Sequence, residues 1–129
     1  MEYLADTVTI IRYFSGNGKI GAQALKIMDE ADEGQHVILV SALTLVEILY
    51  LSEKNRIGIG LEESLGIISH ADNYQIVDLT PTIVKEAHSF SFSDIFDRLI
   101  IATARCLGVP IVTSDERIKG AGLVQVIWE

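Results

Sequence analysis

Val37-Ile38-Leu39-Val40-Ser41-Ala42-Leu43-Thr44-Leu45-Val46-Glu47 passes from a strand into a helix with no loop between them. The run Val37 to Val40 is continuously apolar and mostly β-branched, the pattern of a strand buried on both faces of a parallel sheet. Ser41 suits a helix N-cap, its hydroxyl placed to accept a backbone N–H of the first turn. The helix it opens extends to about Ser52. A strand that is apolar on both faces needs helices on both sides of its sheet, so this segment predicts a layered α/β fold.

Outward from it, the same alternation continues. Tyr3 to Ala5 reads as a short strand and Thr7 to Phe14 as a helix, through Val8, Ile11 and Phe14. Ser15-Gly16-Asn17-Gly18 is a turn. A second helix runs from Ile20 to Asp32 on Ala24, Ile27, Met28 and Ala31, and Gly34 stops it. After a loop at Arg56 to Gly60, Leu61 to Ser69 reads as a helix and Tyr74 to Val77 as a strand. Thr80-Pro81 starts a helix, with Thr at the cap and Pro at the first position, that reaches about His88. Phe90 to Ser93 connects to a helix over Asp94 to Leu107, closed by Gly108 and Pro110. Pro110 to Thr113 is a fourth strand, Asp115 to Ile118 one helical turn, and Leu123 to Ile127 a last strand. The expected architecture is α/β: a parallel sheet of about five strands between two helical layers, in one domain spanning residues 1–129.

A hydrophobic fraction of 49% is ample for a full core. The longest apolar stretch, Val37 to Leu51, carries Ser41, Thr44 and Glu47 and is too short to span a bilayer. The first residues hold neither a basic region nor a long apolar one, so no signal peptide is read there. The single cysteine, Cys106, excludes an internal disulfide and fits a reducing compartment, so the expected location is cytoplasmic. The formal charge of −8 argues against general nucleic-acid binding, which needs Lys and Arg at phosphates. A nucleic-acid substrate would have to meet a local basic patch.

Four carboxylates stand beside apolar sequence at or near the ends of these elements: Asp6, Glu47, Asp97 and Asp115. Asp6 follows the first strand and Asp115 the fourth, and open parallel sheets bind ligands outside the carboxyl ends of their strands. Glu47 and Asp97 lie within about two turns of helix N-termini, whose positive dipole ends favour anions most strongly in the first turn. Leu43, Val46 and Tyr50 outline an apolar stripe that contains Glu47, with no Lys or Arg three or four residues away; the Tyr50 hydroxyl is its one local hydrogen-bond candidate. Carboxylates gathered in one crevice repel, by roughly 4 kcal/mol for a pair about 4 Å apart, unless protons or a divalent cation neutralise them. Singly, Asp6 and Asp115 also read as helix caps and Asp97 as a first-turn acid.

Taken together, Tyr3-Leu4-Ala5-Asp6-Thr7, Ser41-Ala42-Leu43-Thr44-Leu45-Val46-Glu47, Asp94-Ile95-Phe96-Asp97-Arg98 and Thr113-Ser114-Asp115-Glu116-Arg117 resemble the four acidic motifs of PIN-domain ribonucleases. The likeness is particularly to the VapC-like toxins of prokaryotic toxin–antitoxin pairs, and it covers nearly the whole chain. It implies a three-layer fold, a Mg²⁺ or Mn²⁺ cofactor and hydrolysis of single-stranded or looped RNA. By the same resemblance Asp6, Glu47, Asp97 and Asp115 form the catalytic quartet, with Asp6, Asp97 and Asp115 the metal ligands and Glu47 holding a metal-bound water or a second ion. Asp94 is a supporting acid, read by position as a helix cap, and Thr113 and Ser114 are supporting donors to Asp115 or to phosphate. The chain departs from the pattern before Asp94, where Ser91-Phe92-Ser93 stands in place of basic residues.

Arg98 is expected to pair with Asp94 or reach phosphate, and Arg117 is a second substrate-binding candidate, with Arg12, Lys54, Arg56 and Lys119 behind them. Ile11, Phe14, Leu25 and Met28 are candidates for a homodimer face or for a groove receiving an antitoxin helix. His36, His70 and His88 are scattered, and with one cysteine a structural zinc site is not expected. Two other readings are compatible with acids on a parallel sheet. One is a PIN-like scaffold that binds RNA or protein without cutting. The other is a receiver-like phosphate-accepting switch, disfavoured because Asp6 is solitary and Ser41, not Asp, follows the second strand. A haloacid-dehalogenase-like phosphatase would need a second Asp where Val8 stands.

Overall fold

The computed structural model describes residues 1–129. Its strands are β1 (Glu2–Ala5), β2 (Val37–Ser41), β3 (Tyr74–Val77), β4 (Ile111–Val112) and β5 (Val126–Ile127). Its helices are α1 (Thr7–Ser15), α2 (Ala22–Asp32), α3 (Ala42–Glu53), α4 (Leu61–Ser69), α5 (Pro81–His88), α6 (Ile95–Leu107) and α7 (Glu116–Ala121). The sheet is parallel throughout, in the order β3-β2-β1-β4-β5.

The two-residue period of the strands splits the core into two layers. Tyr3, Ala5, Ile38, Val40 and Val112 face one way, against Ile10, Met28, Ile48 and Ile68 of α1 to α4. Leu4, Leu39 and Ile111 face the other, against Ile100, Ile101 and Ala104 of α6 and Ile118 of α7. Helix α5 packs outside α6 through Ile83, Ala87 and Ala102. This is the three-layer arrangement expected from the alternation of elements. The longest helix, α6, ends where Gly108 adopts the left-handed conformation, φ 67°, that a side chain would oppose.

Several local expectations hold. Ser41 caps α3 by accepting the Leu43 N–H at 3.0 Å, and Thr80 caps α5, with Pro81 at its first position. Others need correction. The last strand is confined to Val126–Ile127, because its partner β4 offers only Ile111 and Val112 for pairing; Leu123 and Val124 instead pack on the α6 layer. The helical turn expected at Asp115 to Ile118 extends to Ala121. Met28 is fully buried, and Ile11 and Phe14 pack partly against the core, Phe14 edge-on to Tyr74. Of the four residues considered for a docking face, Leu25 alone is exposed. No helix is long and apolar enough to cross a membrane.

Candidate active site

The chain leaves β1 for β2 on one side and later returns to β4 on the other, so the sheet has its switch point between β1 and β4. Crevices at such points lie beyond the carboxyl ends of the strands. Asp6 comes directly after β1 and caps α1; Asp115 comes shortly after β4 and caps α7. Glu47 enters from the second turn of α3, which continues straight out of β2. Asp97 enters from the first turn of α6, where Asp94 is the N-cap and accepts the Asp97 N–H at 3.0 Å.

Asp6 is the most deeply held. One carboxylate oxygen accepts the Thr9 N–H at 3.0 Å and the Thr9 hydroxyl at 2.7 Å, and the other accepts the Thr113 hydroxyl. Burial pushes its carboxyl up; the Thr113 and Thr9 bonds oppose that, and the charge of Asp115 adds to it. Thr113 also accepts the Asp115 N–H, at 3.0 Å, so one hydroxyl couples the acid after β1 to the acid after β4.

Glu47 accepts the Thr7 hydroxyl at 2.6 Å, and Thr7 in turn lies 3.0 Å from the Thr44 hydroxyl. Thr7 has one hydroxyl proton, which goes to Glu47, so Thr44 donates to Thr7. Burial raises the Glu47 carboxyl, the Thr7 bond counteracts this, and the charges of Asp94 and Asp6 raise it further. The stripe read around Glu47 needs correction. Leu43 is buried, but Val46 and Tyr50 are half exposed, and the core face of α3 is Leu43, Thr44 and Ile48. Tyr50 makes no bond to Glu47. With Val46, Leu51 and Phe96 it lines an apolar cleft of about 370 Å³ beside that carboxylate.

Asp97 is pushed up to about 6, first by burial and then by the charges of Asp94, Asp115 and Glu47, against the opposing pull of Arg117. Asp115 goes the other way. Burial would raise it, but the side-chain and backbone N–H groups of Arg117, its positive charge and the Ile118 N–H together hold the carboxyl below its ordinary range. Arg117 Nη2 lies 3.2 Å from Asp97 and 3.0 Å from Asp115. The structure thus brings Asp6, Glu47, Asp97 and Asp115 into one electrostatically coupled cluster, with Asp94 at its edge.

All four side chains offer hard oxygen ligands with a net negative charge, the donor set that Mg²⁺ and Mn²⁺ take. Arg117 already seats positive charge between two of them. In kind the residues fit a divalent cation. As they stand, no three of them are gathered tightly enough to close on one ion.

The basic candidates separate. Arg98 does not pair with Asp94: its Nε donates to the Ala87 carbonyl at 2.8 Å, at the end of α5 where helix carbonyls lack partners. Arg12 is likewise engaged, donating to the Lys19 carbonyl at 2.8 Å, and the Lys54 ammonium lies 5.8 Å from the centre of the Tyr50 ring. Ser114 and Lys119 line a polar cleft of about 220 Å³ beside Asp115, with Gln23 and Trp128. Gly21 lies against the Trp128 carbonyl there, where a Cβ would come within 2.2 Å. The residues that sequence reasoning missed are the threonines Thr7, Thr9 and Thr44. The signal for the first two is Asp6-Thr7-Val8-Thr9 itself: hydroxyls in the turn after an acid that caps a helix.

The PIN domain family model matches residues 3–122. A ribonuclease of Mycobacterium tuberculosis, VapC22, is 29% identical over 104 residues, covering 78% of this chain and 77% of that protein. Among solved structures, VapBC2 from Rickettsia felis, bound to a DNA fragment from its promoter, superposes with a TM-score of 0.73. Its sequence identity is 14%, and the match covers 100% of both chains. The sarcin-ricin loop cleaving toxin VapC20 of Mycobacterium tuberculosis gives a TM-score of 0.72 at 15% identity, covering 96% of this chain and 98% of that one.

Proposed function

The chain belongs to the PIN-domain family, and from that premise we propose that it is a Mg²⁺- or Mn²⁺-dependent endoribonuclease, the toxin of a toxin–antitoxin pair. The observation that carries this reading is the meeting of Asp6, Glu47, Asp97 and Asp115, from four distant segments, at the switch point of the sheet. The likeness to VapC22 supports the ribonuclease activity, and the likeness to the VapBC2 assembly supports a small antitoxin protein as partner. A homodimer and a cytoplasmic location belong to the same reading.

Asp6, Asp97 and Asp115 would hold the divalent ion. A bound ion would supply polarisation of the scissile phosphate, activation of water and stabilisation of the leaving oxygen. Glu47 orients the attacking water and accepts its proton; its raised proton affinity suits it to that task. Thr7 fixes one Glu47 oxygen and leaves the other for water. Thr113 locks Asp6 and the backbone of Asp115 in one frame, so two ligands are positioned before substrate arrives. Ser114 and Lys119, in the polar cleft beside Asp115, and Arg117, paired with Asp97 and Asp115, are the donors for RNA phosphates. Asp94 acts through Asp97, by capping the helix that carries it.

The test is cleavage of RNA by the purified protein with Mg²⁺ or Mn²⁺, with EDTA, and by Asp6→Asn. Divalent-dependent products that disappear in EDTA and in the variant support the reading. Specific Mn²⁺ uptake without any cleavage points instead to a non-cutting scaffold.

A further inference from the structure

We propose that Arg117 is an intramolecular competitor for the cation at the carboxylate cluster. Its guanidinium takes the position between Asp97 and Asp115 that a shared divalent ion would take, and it leaves that position when an ion is loaded. The inference rests on the reading of the cluster as a divalent-cation site.

The geometry is that of a bridging fork. Nη2 is 3.0 Å from Asp115 Oδ2 and 3.2 Å from Asp97 Oδ2, while Nε is 3.3 Å from Asp115 Oδ1. Among the ion pairs of the molecule, the only ones that reach any of the four carboxylates are those of Arg117. One side chain therefore supplies the counter-charge for two proposed ligands, one in the first turn of α6 and the other capping α7.

The same side chain is built to let go. Arg117 is 60% exposed, and exposed ion pairs are weak, because water competes for both partners. Its Cα is fixed in the first turn of α7, and its guanidinium lies 5.8 Å from the centre of the Phe92 ring, so a released arginine stays beside the cluster. Guanidinium is also the side chain best shaped to bind a phosphate through two parallel N–H groups. Release therefore presents Arg117 to the RNA backbone at the moment the ion is in place. By linkage, a phosphate that engages Arg117 tightens the site for the ion.

The experiment is Mn²⁺ titration calorimetry on the full chain, comparing wild type with Arg117→Gln, Arg117→Lys and Lys119→Gln, each checked for native circular dichroism. Lys119 is a basic residue of the same helix with no ion pair to the cluster, and it controls for loss of a nearby charge. Arg117→Gln should bind Mn²⁺ about three- to tenfold more tightly than wild type. Lys119→Gln should stay within about twofold, and Arg117→Lys should fall between wild type and Arg117→Gln. Equal or weaker binding by Arg117→Gln overturns the proposal, as does equal tightening by Lys119→Gln; either result leaves the cation site itself standing. No uptake by any of the four proteins overturns both.

Discussion

The Thr7 hydroxyl donates to Glu47 at 2.6 Å across forty residues of sequence, tying the first turn of α1 to the second turn of α3. Through Thr44 the bond is backed by a second hydroxyl. Replacing Thr7 with Val keeps the shape and removes the donor. Glu47 then keeps its burial and its acidic neighbours with no protein donor. Thr7→Val should cost about 1–3 kcal/mol in urea unfolding and lower kcat more than it raises KM. Thr7→Ser should restore most of both. A Thr7→Val protein with unchanged stability and turnover would show that the bond neither holds nor positions Glu47.

Asp97 predicts a conflict between stability and function. Its carboxyl is raised from 3.8 to about 6 in the fold. Between these values the folded chain binds more protons than the unfolded one, so stability falls as pH rises through that window. Asn at this position carries no such penalty, and the ion pair to Arg117 that it loses is exposed on the arginine side and worth little. Without divalent ions, Asp97→Asn should raise Tm by roughly 3–5 °C near neutral pH and by much less near about pH 4. Scanning calorimetry at the two pH values checks this, and a variant less stable than wild type at neutral pH contradicts it.

The same carboxyl contributes to the acid limit of ion binding, with Asp6, which burial also raises. A ligand must be deprotonated to bind metal. Mn²⁺ affinity should therefore fall by at least about tenfold per pH unit beneath the Asp97 value of about 6. Calorimetry across the range measures it. Affinity that stays constant well below this value would remove Asp97 from the ligand set.

The parts of the fold carried by local chemistry were legible in the chain. Ser41, Thr80 and Asp94 occupy cap positions because short polar side chains satisfy the N–H groups of a first turn, and that rule needs no tertiary knowledge. The convergence of acids was legible too, since Asp6 and Asp115 each follow a strand of a parallel sheet. What escaped depends on neighbours that sequence spacing does not reveal. Val46 and Tyr50 fit a helical stripe with Leu43, yet α3 turns Thr44 and Ile48 inward, with Thr44 reaching Thr7. Arg98 had Asp94 one turn away, but the carbonyl of Ala87, on the neighbouring α5, took its Nε. Arg117 was visible as a basic residue near an acid; its reach to Asp97 required α6 and α7 to come together.

The most direct measurement is cleavage-site mapping on total RNA, with wild type beside Asp97→Asn, each with Mn²⁺ and with EDTA. The account predicts discrete cuts by wild type with Mn²⁺ and none in the other three reactions, while Asp97→Asn retains its fold. Cuts at the same positions by the variant, or by wild type in EDTA, would contradict it.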